Sequence, residues 1–500
     1  MTFFWPLLLA ALGALQTLAF AYTAAWPLVI GCAAVLAFAV SRATPRRAAL
    51  LGWAFGCGWL VAGTGWLYIS LHRYGGLAAP LAVAAVFALA AALSLYLALA
   101  MAACARWRSG RAAVDGALFA AAWLLAELAR GVIFTGFPWV ASGYAMVDSP
   151  LAALAPWIGV YGIGAVVALV AALLAATRRR AWVPGAAAVA LLGLPGLVGP
   201  VGFSTASGSA LSITLLQTNV AQDEKFAAEH MAESLAWVAT ALRDARGELV
   251  VAPETAVPLL PSQLSEFAPG YWEALRARFA GPGQAALVGL PLGDFDIGYT
   301  NSVAGLSDGP AYRYDKLHLV PFGEFIPTGF RWFTEALNIP LGDFARGVKN
   351  PPSFPVRGER VAPNICYEDL FGEELARRFV DEAAAPTLFA NVSNIGWFGD
   401  SIAIPQHLAI SRFRTLEFQR PMIRATNTGA TAVIDHRGQV VAQLPPLSRG
   451  VLESRVEGRR GITPFAWWAA RFGLWPLALL AALVLLAAAR WRRRAGRAAP

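Results

Sequence analysis

The run Asn364-Ile365-Cys366-Tyr367-Glu368-Asp369 decides how this sequence is interpreted. Its first residues belong to a short apolar stretch, 361–366, which predicts a buried β-strand that ends in a thiol. Cys366 is the one cysteine between residues 203 and 464, and the other three cysteines lie in apolar runs. Because this segment offers no disulfide partner, the thiol serves either packing or its own chemistry.

The long segment 203–464 alternates short apolar runs with helical patterns, which predicts an α/β domain with a core of its own. The predicted strands are residues 211–216, 248–252, 286–291, 301–306, 361–366, 386–391 and 430–434. The predicted helices are residues 226–243, 263–279, 372–382 and 404–419.

The rest of the chain predicts an integral membrane protein. The sequence is 57% hydrophobic and only 14% charged, and a membrane span needs about 20 apolar residues. Eight spans are predicted, at residues 3–20, 24–41, 48–70, 78–104, 113–131, 152–177, 181–201 and 466–489. The first has no basic segment before it, which favours a retained span over a cleaved signal peptide.

Arginine clusters predict the orientation, since positive loops near span ends are retained in the cytoplasm. The clusters lie at residues 42–47, 106–111, 178–180 and 490–497, each in an even-numbered loop or at the C-terminus. The segment 203–464 is therefore expected outside, in the periplasm of a cell with two membranes. The net charge of +9 comes mostly from these anchors and does not indicate nucleic-acid binding.

Four runs have a composition that packing alone does not explain. They are 250–255 (VVAPET), 314–324 (YDKLHLVPFGE), 364–368 (NICYE) and 391–399 (NVSNIGWFG). Residues at the carboxyl ends of strands point into the crevice where α/β folds bind ligands. There Glu254 can take the proton of a thiol, and Lys316 can stabilise the oxyanion that forms when the thiolate attacks a carbonyl.

The scarcity of lysine makes Lys316 a stronger candidate for a functional residue, because only three of the 40 basic residues are lysine. Alone, each residue has a simpler interpretation. Glu254 would be an exposed carboxylate, Lys316 a loop residue, and Cys366 a small buried hydrophobe.

In the order Glu, Lys, Cys, these runs resemble the nitrilase superfamily. With the predicted spans, and with the run 397–401 (WFGDS) followed by Gln406 and His407, the whole chain resembles the bacterial apolipoprotein N-acyltransferase family. The resemblance implies a nitrilase-like αββα sandwich carried on an eight-helix transmembrane bundle. It divides the chain into a seven-span region (1–202), an extracytoplasmic catalytic domain (203–464), and a final transmembrane helix with a basic cytoplasmic tail (465–500).

The resemblance also implies an activity and its residues. A fatty acyl chain would move from a phospholipid, through a thioester on Cys366, to the α-amino group of the diacylglyceryl-cysteine that begins an apolipoprotein. Glu254 would be the general base and Lys316 the oxyanion partner of this ping-pong acyltransferase. The supporting or substrate-binding residues would be Glu324, Tyr367, Glu368 and Trp397.

The implied partners are a phospholipid donor, an apolipoprotein acceptor and the lipid of the bacterial inner membrane. No cofactor, metal or nucleic acid is expected, since the five histidines are scattered, and a monomer is predicted. At one position, Phe226, the family is expected to have tryptophan.

Two other functions stay open at this point. An exported amidase or nitrilase would use the same three residues to hydrolyse a C–N bond with water. A lipoprotein-binding module on an inactive nitrilase fold would need none of them, and slow alkylation of Cys366 would favour that alternative.

Overall fold

The computed structural model describes residues 4–177, 182–225, 227–327, 329 and 343–497. The chain forms two compact units. The helical unit comprises residues 1–68, 78–201 and 472–500, and the sandwich unit comprises residues 69–77 and 202–471. The arginines at 178–180 and the unexpected Phe226 lie outside the described residues.

The helical unit consists of long apolar helices with short connections. Its α-helices are Phe4–Leu15, Leu18–Ala21, Pro27–Ser41, Pro45–Thr64, Ala79–Trp107, Ala112–Val132, Ala155–Ala176, Val183–Val198 and Trp475–Arg497. Its 3-10 turns are Thr23–Ala25, Ile133–Thr135, Ser142–Met146 and Pro150–Leu154. A further short helix, Leu67–Ile69, continues into a π-helical turn, Ser70–Tyr74, at the start of the sandwich unit.

Six of the described helices are long and apolar enough to cross a membrane. A seventh span arises if the pair Pro45–Thr64 and Leu67–Tyr74, bent by 62°, counts as one. The predicted span 181–201 corresponds to the 16-residue helix Val183–Val198, which is shorter than the other spans. The protein is thus a multi-pass membrane protein.

Glycines allow two of the apolar helices to approach closely. A Cβ on Gly13 would lie 2.0 Å from the carbonyl oxygen of Phe55, and one on Gly58 would lie 1.8 Å from that of Ala10. Because apolar side chains gain little by leaving lipid, membrane helices associate through such close backbone packing. Helices Phe4–Leu15 and Pro45–Thr64 are therefore fixed against each other at these two positions.

The sandwich unit contains fourteen described strands. They are β1 (Thr205–Ala206), β2 (Leu211–Gln217), β3 (Leu249–Val251), β4 (Ala285–Asp294), β5 (Gly298–Leu306), β6 (Tyr312–Asp315), β7 (Phe354–Val356), β8 (Glu359–Ile365), β9 (Leu388–Ser393), β10 (Met422–Thr426), β11 (Ala432–Ile434), β12 (Val440–Gln443), β13 (Gly450–Val456) and β14 (Arg459–Arg460). Two six-stranded sheets have the orders β13-β2-β3-β4-β5-β6 and β12-β11-β10-β9-β8-β7. β1 pairs with β14 separately.

The two sheets share a common pattern. In each, three central strands run parallel, β2-β3-β4 in one and β8-β9-β10 in the other, and the remaining pairs are antiparallel. One apolar core joins them, with side chains such as Leu215 and Val251 from the first sheet and Ile365 and Val392 from the second. Strands covered on both faces are nearly continuous apolar runs, and five of these six strands were predicted on that basis. The exception is β10, whose run Arg424 interrupts.

Helices cover the outer face of each sheet, which completes the predicted αββα sandwich. They are Ala228–Asp244, Pro261–Phe267, Tyr271–Phe279, Gly372–Ala376, Ala403–Phe418 and Pro464–Phe472, with 3-10 turns Cys366–Leu370, Arg377–Phe379 and Ile395–Phe398. The predicted helix 263–279 is interrupted at Gly270, whose φ of +79° is left-handed. The predicted helix 372–382 ends early, at Ala376.

The last predicted span, 466–489, is wrong at its start. Residues 464–472 form a separate helix that packs Phe465, Ala466 and Ala469 into the core beneath the second sheet. Gly473, with φ +56°, breaks the chain before helix Trp475–Arg497 begins. An apolar helix face looks the same in sequence whether it contacts lipid or a protein core. Hydropathy alone therefore predicted one span where the structure has two helices.

Candidate active site

Three strand ends bring the predicted catalytic residues together. Glu254 follows β3, Lys316 follows β6, and Cys366 follows β8. Lys316 Nζ lies 3.5 Å from Glu254 Oε1, and the charges of both groups act on the Cys366 thiol. The sandwich thus assembles one carboxylate, one ammonium and one thiol from distant parts of the chain.

Backbone strain marks two of these strand ends. Cys366 has φ +50° and begins the 3-10 turn that leaves β8, while Thr255, just after Glu254, has φ +52°. Non-glycine residues in the left-handed region cost about 1–3 kcal/mol and persist where surrounding contacts enforce them. At Cys366 the chain thus leaves the strand, and the thiol lies at the strand end within reach of the charges of Glu254 and Lys316.

Lys316 is buried, with 1% of its surface exposed, and two carboxylates surround it. Its Nζ donates to Glu324 Oε1 at 2.9 Å, in addition to the ion pair with Glu254. Burial lowers the pKa of Lys316, but the charges of Glu324 and Glu254 raise it by more than burial lowers it. The pKa of Lys316 is therefore above its ordinary value. The ammonium is therefore permanently charged at neutral pH.

Amide groups hold the two carboxylates in place. Asn301 Nδ2 donates to Glu254 Oε1 at 2.7 Å and to Glu324 Oε1 at 2.8 Å. The backbone N–H of Asn394 donates to Glu254 Oε2 at 2.7 Å, and that of Val320 donates to Glu324 Oε2 at 2.8 Å. Glu324, a predicted supporting residue, thus orients Lys316 directly.

The thiol is neutral at rest. Burial is the main cause that raises the pKa of Cys366, and the charge of Glu254 adds to it, while Lys316 and a hydrogen bond with Ser393 lower it. The balance raises the pKa to about 12. A neutral thiol beside a carboxylate needs that carboxylate to accept its proton as it attacks.

Glu368 joins the Cys366 strand end to the Lys316 strand end. Its Oε2 accepts from the Tyr314 hydroxyl at 2.6 Å and from the Ile365 N–H at 2.8 Å. Its Oε1 accepts from the backbone N–H groups of Leu317 and His318 at 2.7 and 3.2 Å. Burial raises the pKa of Glu368 in spite of these bonds.

The other two predicted supporting residues differ in exposure. Tyr367 is buried, and its ring packs on the rings of His318 and Phe371. Trp397 is 40% exposed and meets the ring of Tyr74 edge-on at 5.6 Å. Tyr74 belongs to the segment 69–77, whose Arg73 also pairs with Asp223 at 2.9 Å.

A second buried cluster, of which the sequence indicated only His407, lies next to the turn that carries the thiol. Asp369 Oδ1 lies 2.9 Å from His407 Nε2, and Oδ2 accepts from the Ser411 hydroxyl. Arg424 donates to His407 Nδ1 at 3.0 Å, so the imidazole proton lies on Nε2 and faces Asp369. Burial opposes ionisation of Asp369, but His407 and Arg424 outweigh it and lower the pKa.

His407 also lies 3.3 Å from the carbonyl oxygen of Cys366, so this cluster holds the turn that carries the nucleophile. His318, which belongs to the run 314–324, lies 3.2 Å from Glu374 through its Nδ1 atom. In the part of the chain that the structure describes, no group of three or more histidine, cysteine or acidic side chains is placed to hold a metal ion.

Residues 12–173 match the apolipoprotein N-acyltransferase N-terminal domain, and residues 212–459 match the carbon-nitrogen hydrolase family. The apolipoprotein N-acyltransferase of Verminephrobacter eiseniae is 53% identical, covering 90% of this chain and 89% of its own length. The chain belongs to the apolipoprotein N-acyltransferase family. The family's proteins from Ralstonia nicotianae and Bordetella bronchiseptica are 47% and 42% identical, each covering 98% of this chain and 94% or 97% of their own lengths.

The predicted family and the nitrilase-like sandwich are thereby confirmed. Among solved structures, the C. elegans NitFhit protein is similar at 19% identity, with a TM-score of 0.38, over 51% of this chain and 62% of its own. Near-full-length similarity to N-acyltransferases favours acyl transfer over the amidase alternative and over an inactive binding module.

Proposed function

We propose that this protein moves a fatty acyl chain from a phospholipid, through a thioester on Cys366, to the α-amino group of the diacylglyceryl-cysteine of apolipoproteins. The observation that carries the proposal is the buried cluster of Glu254 and Lys316, 3.5 Å apart, beside the neutral thiol of Cys366. Acyl transfer from an ester to an amine needs these three groups.

In the first half-reaction Glu254 accepts the Cys366 proton while the sulfur attacks the ester carbonyl. Lys316 and the backbone N–H of Tyr367 stabilise the resulting oxyanion. The intermediate then collapses, the C–O bond breaks, and the protonated carboxyl of Glu254 returns its proton to the alcohol oxygen of the departing lysophospholipid. The acyl group remains on sulfur.

In the second half-reaction the neutral α-amine attacks the thioester, and Glu254 accepts a proton from nitrogen. The C–S bond breaks as the amide forms, and the proton passes from Glu254 to the sulfur of Cys366. The enzyme thus returns to its starting state after Glu254 has accepted and returned a proton twice, in four proton transfers.

The charge of the cluster favours this path. With a neutral thiol, Glu254, Glu324 and Lys316 carry one net negative charge. Proton transfer to Glu254 moves that charge to sulfur, and attack moves it to the carbonyl oxygen, so no additional charge is created in the buried site. Glu324 and Glu368 keep Lys316 and the strand ends in register during these steps.

The proposed site of action is the periplasmic face of the inner membrane, because the arginine clusters predict that the sandwich unit is exported. Ile297 lies at an exposed hairpin tip of this unit, with 87% of its surface accessible. An Ile297→Cys variant in a Cys32→Ser, Cys57→Ser, Cys104→Ser background should react with an impermeant maleimide in intact spheroplasts. Labelling only after lysis would contradict the orientation.

A transfer assay tests the activity itself. The purified protein is incubated in detergent with phospholipid whose acyl chain is isotopically labelled and with a peptide that begins with diacylglyceryl-cysteine. Label should appear as an amide on the peptide, and Cys366→Ser should abolish it. Release of free labelled fatty acid with no labelled peptide would instead indicate a hydrolase.

We also propose that the protein acts as a monomer without a nucleic-acid partner. Light scattering of the detergent-solubilised protein should give the mass of one 500-residue chain after correction for detergent. A mass of two chains would contradict this.

A further inference from the structure

Lys225 is a buried lysine that the mechanism above does not use. It lies in the loop that follows β2, and only 6% of its surface is exposed. Its Nζ donates a hydrogen bond of 3.1 Å to the main-chain carbonyl oxygen of Glu254. Burying an ammonium is costly unless its surroundings compensate, so a lysine at this place needs a reason.

The loop that carries Lys225 is itself fixed to the second sheet. Asn427 Oδ1 accepts from the Thr218 hydroxyl at 2.7 Å and from the Val220 N–H at 2.9 Å. Gln222 Oε1 accepts from Asn394 Nδ2 at 2.8 Å, and the N–H of the same Asn394 donates to Glu254. Lys225 therefore reaches Glu254 from a rigid support.

The turn that it contacts is strained. Thr255 has φ +52°, and the turn packs so closely on β4 that a Cβ on Gly289 would lie 2.3 Å from the carbonyl oxygen of Pro253. The bond from Lys225 holds the main chain at Glu254, next to the strained residue. The general base is thus fixed at its side chain by Asn301 and Asn394, and at its main chain by Lys225.

Lys225 is also electrostatically linked to the reacting groups. Burial is the main cause that lowers the pKa of Lys225, the charges of Glu254 and Cys366 raise it, and the result is a pKa of about 8. The other charged groups of the cluster are Lys316 and Glu324, which face Glu254 and Cys366 from β6 and the loop after it. When Lys225 is protonated, it balances the net negative charge of the cluster.

We propose that Lys225 is a positioning residue for acyl transfer, which fixes the strained turn of Glu254 and supplies a second positive charge to the cluster that contains Glu254 and Cys366. The proposal rests on the proposed function of Cys366. An arginine would keep the charge, but its larger planar group would have to fit a site shaped for one ammonium. Lys225 and Lys316 are two of only three lysines in the chain.

The test compares Lys225→Met, which removes both the hydrogen bond and the charge, with Lys225→Gln, which keeps a donor but no charge. Lys349→Met, at an exposed lysine, is the matched control. The readout is the single-turnover rate of acyl-enzyme formation at saturating phospholipid, measured from pH 6 to 10.

We expect Lys225→Met to lower this rate about 10- to 100-fold at pH 7 with an unchanged half-saturating phospholipid concentration, and Lys225→Gln to recover only part of it. The charge of Lys225 contributes to the wild-type rate below pH 8, and this contribution is lost as Lys225 deprotonates above pH 8. The ratio of the wild-type rate to the Lys225→Met rate should therefore shrink from pH 7 to pH 10. Wild-type rates in Lys225→Met would overturn the proposal. So would an equal loss at every pH accompanied by a lower melting temperature, which is what a packing role gives.

Alkylation of Cys366 by iodoacetamide separates this proposal from the proposed function, because it needs no acyl donor. The positive charge of Lys225 favours the thiolate, so Lys225→Met should slow alkylation several-fold at pH 7 and have little effect at pH 10. This result is expected even if Cys366 never carries an acyl group. Unchanged alkylation at pH 7 would overturn the charge role of Lys225.

Discussion

Two buried charge clusters flank the turn that carries Cys366, and they differ in what they hold. On one side Glu254, Lys316 and Glu324 surround the thiol itself. On the other side Asp369, His407 and Arg424 bind one another and hold the main chain of the turn. We infer that the first cluster determines the rate of acyl transfer and the second determines the stability of the turn. Both are nearly inaccessible to water, so burial alone does not distinguish a catalytic cluster from a structural one.

The largest expected effect concerns Glu254, the proposed general base. Glu254→Gln keeps the shape and the bonds from Asn394 but cannot accept a proton, and general-base catalysis contributes about 10²- to 10⁴-fold. We expect single-turnover acyl-enzyme formation to fall by about that factor, with the melting temperature within a few degrees of wild type. A variant that retains the wild-type rate would show that another group accepts the proton. Glu453→Gln, on the exposed face of strand β13, is the control.

The second cluster predicts a loss of stability. Asp369→Ala leaves Arg424 and His407 buried without their carboxylate, and breaking a buried pair in this way costs about 3–5 kcal/mol. Chemical denaturation of the detergent-solubilised protein should show a correspondingly lower free energy of unfolding, while the rate per folded molecule changes less than in Glu254→Gln. Wild-type stability in Asp369→Ala would contradict the structural role of this cluster.

Lys316 tests the boundary between the two roles. Lys316→Met removes the proposed oxyanion partner, a loss worth about 10²- to 10³-fold in rate, and also leaves Glu324 and Glu254 without the ammonium between them. We expect the rate of acyl-enzyme formation to fall by that factor. Lys316→Met should also lower the free energy of unfolding, because two buried carboxylates lose their counter-charge. In the double variant Lys316→Met/Glu324→Gln, the free energy of unfolding should recover and the rate of acyl-enzyme formation should not. Recovery of the rate in the double variant would mean that Lys316 acts only by neutralising Glu324.

The smallest effect is a pH profile. Because burial and Glu254 raise the pKa of Cys366 to about 12, alkylation by iodoacetamide should keep increasing from pH 7 to 10 without a plateau, by about tenfold per pH unit except near pH 8, where deprotonation of Lys225 makes the increase smaller. Glu254→Gln removes a negative charge, lowers this pKa and should speed alkylation of Cys366 while it slows acyl transfer. A plateau below pH 9 in the wild type would contradict the neutral resting thiol.

The same pKa revises one expectation drawn from sequence, that slow alkylation of Cys366 would favour an inactive fold. A neutral, half-buried thiol that Glu254 would activate only during attack is slow toward an alkylating agent and still competent for transfer. The sequence places the residue, but burial and neighbouring charge, which only the fold reveals, determine its ionisation.

Sequence was informative where a residue combined an unusual type with a strand end. Glu254, Lys316 and Cys366 met that condition, whereas Lys225, an equally scarce lysine, does not directly follow an apolar strand and so gave no such signal. Asn301 and Asp369 could not be identified, since a polar residue within a strand or turn gives no sign of its partners in three dimensions. Strands β6 (YRYD) and β10 (MIRAT) each contain an arginine that breaks the apolar run, so they gave no strand signal, whereas the shorter β3 and β11 were predicted.

The most direct test of the account is intact-protein mass spectrometry of the purified protein after incubation with phospholipid alone, comparing wild type with Cys366→Ala. We predict that the wild type gains the mass of one acyl chain, that hydroxylamine removes it, and that Cys366→Ala gains nothing. If neither protein forms an adduct while both still acylate an acceptor peptide, transfer is direct and the role assigned to Cys366 is wrong.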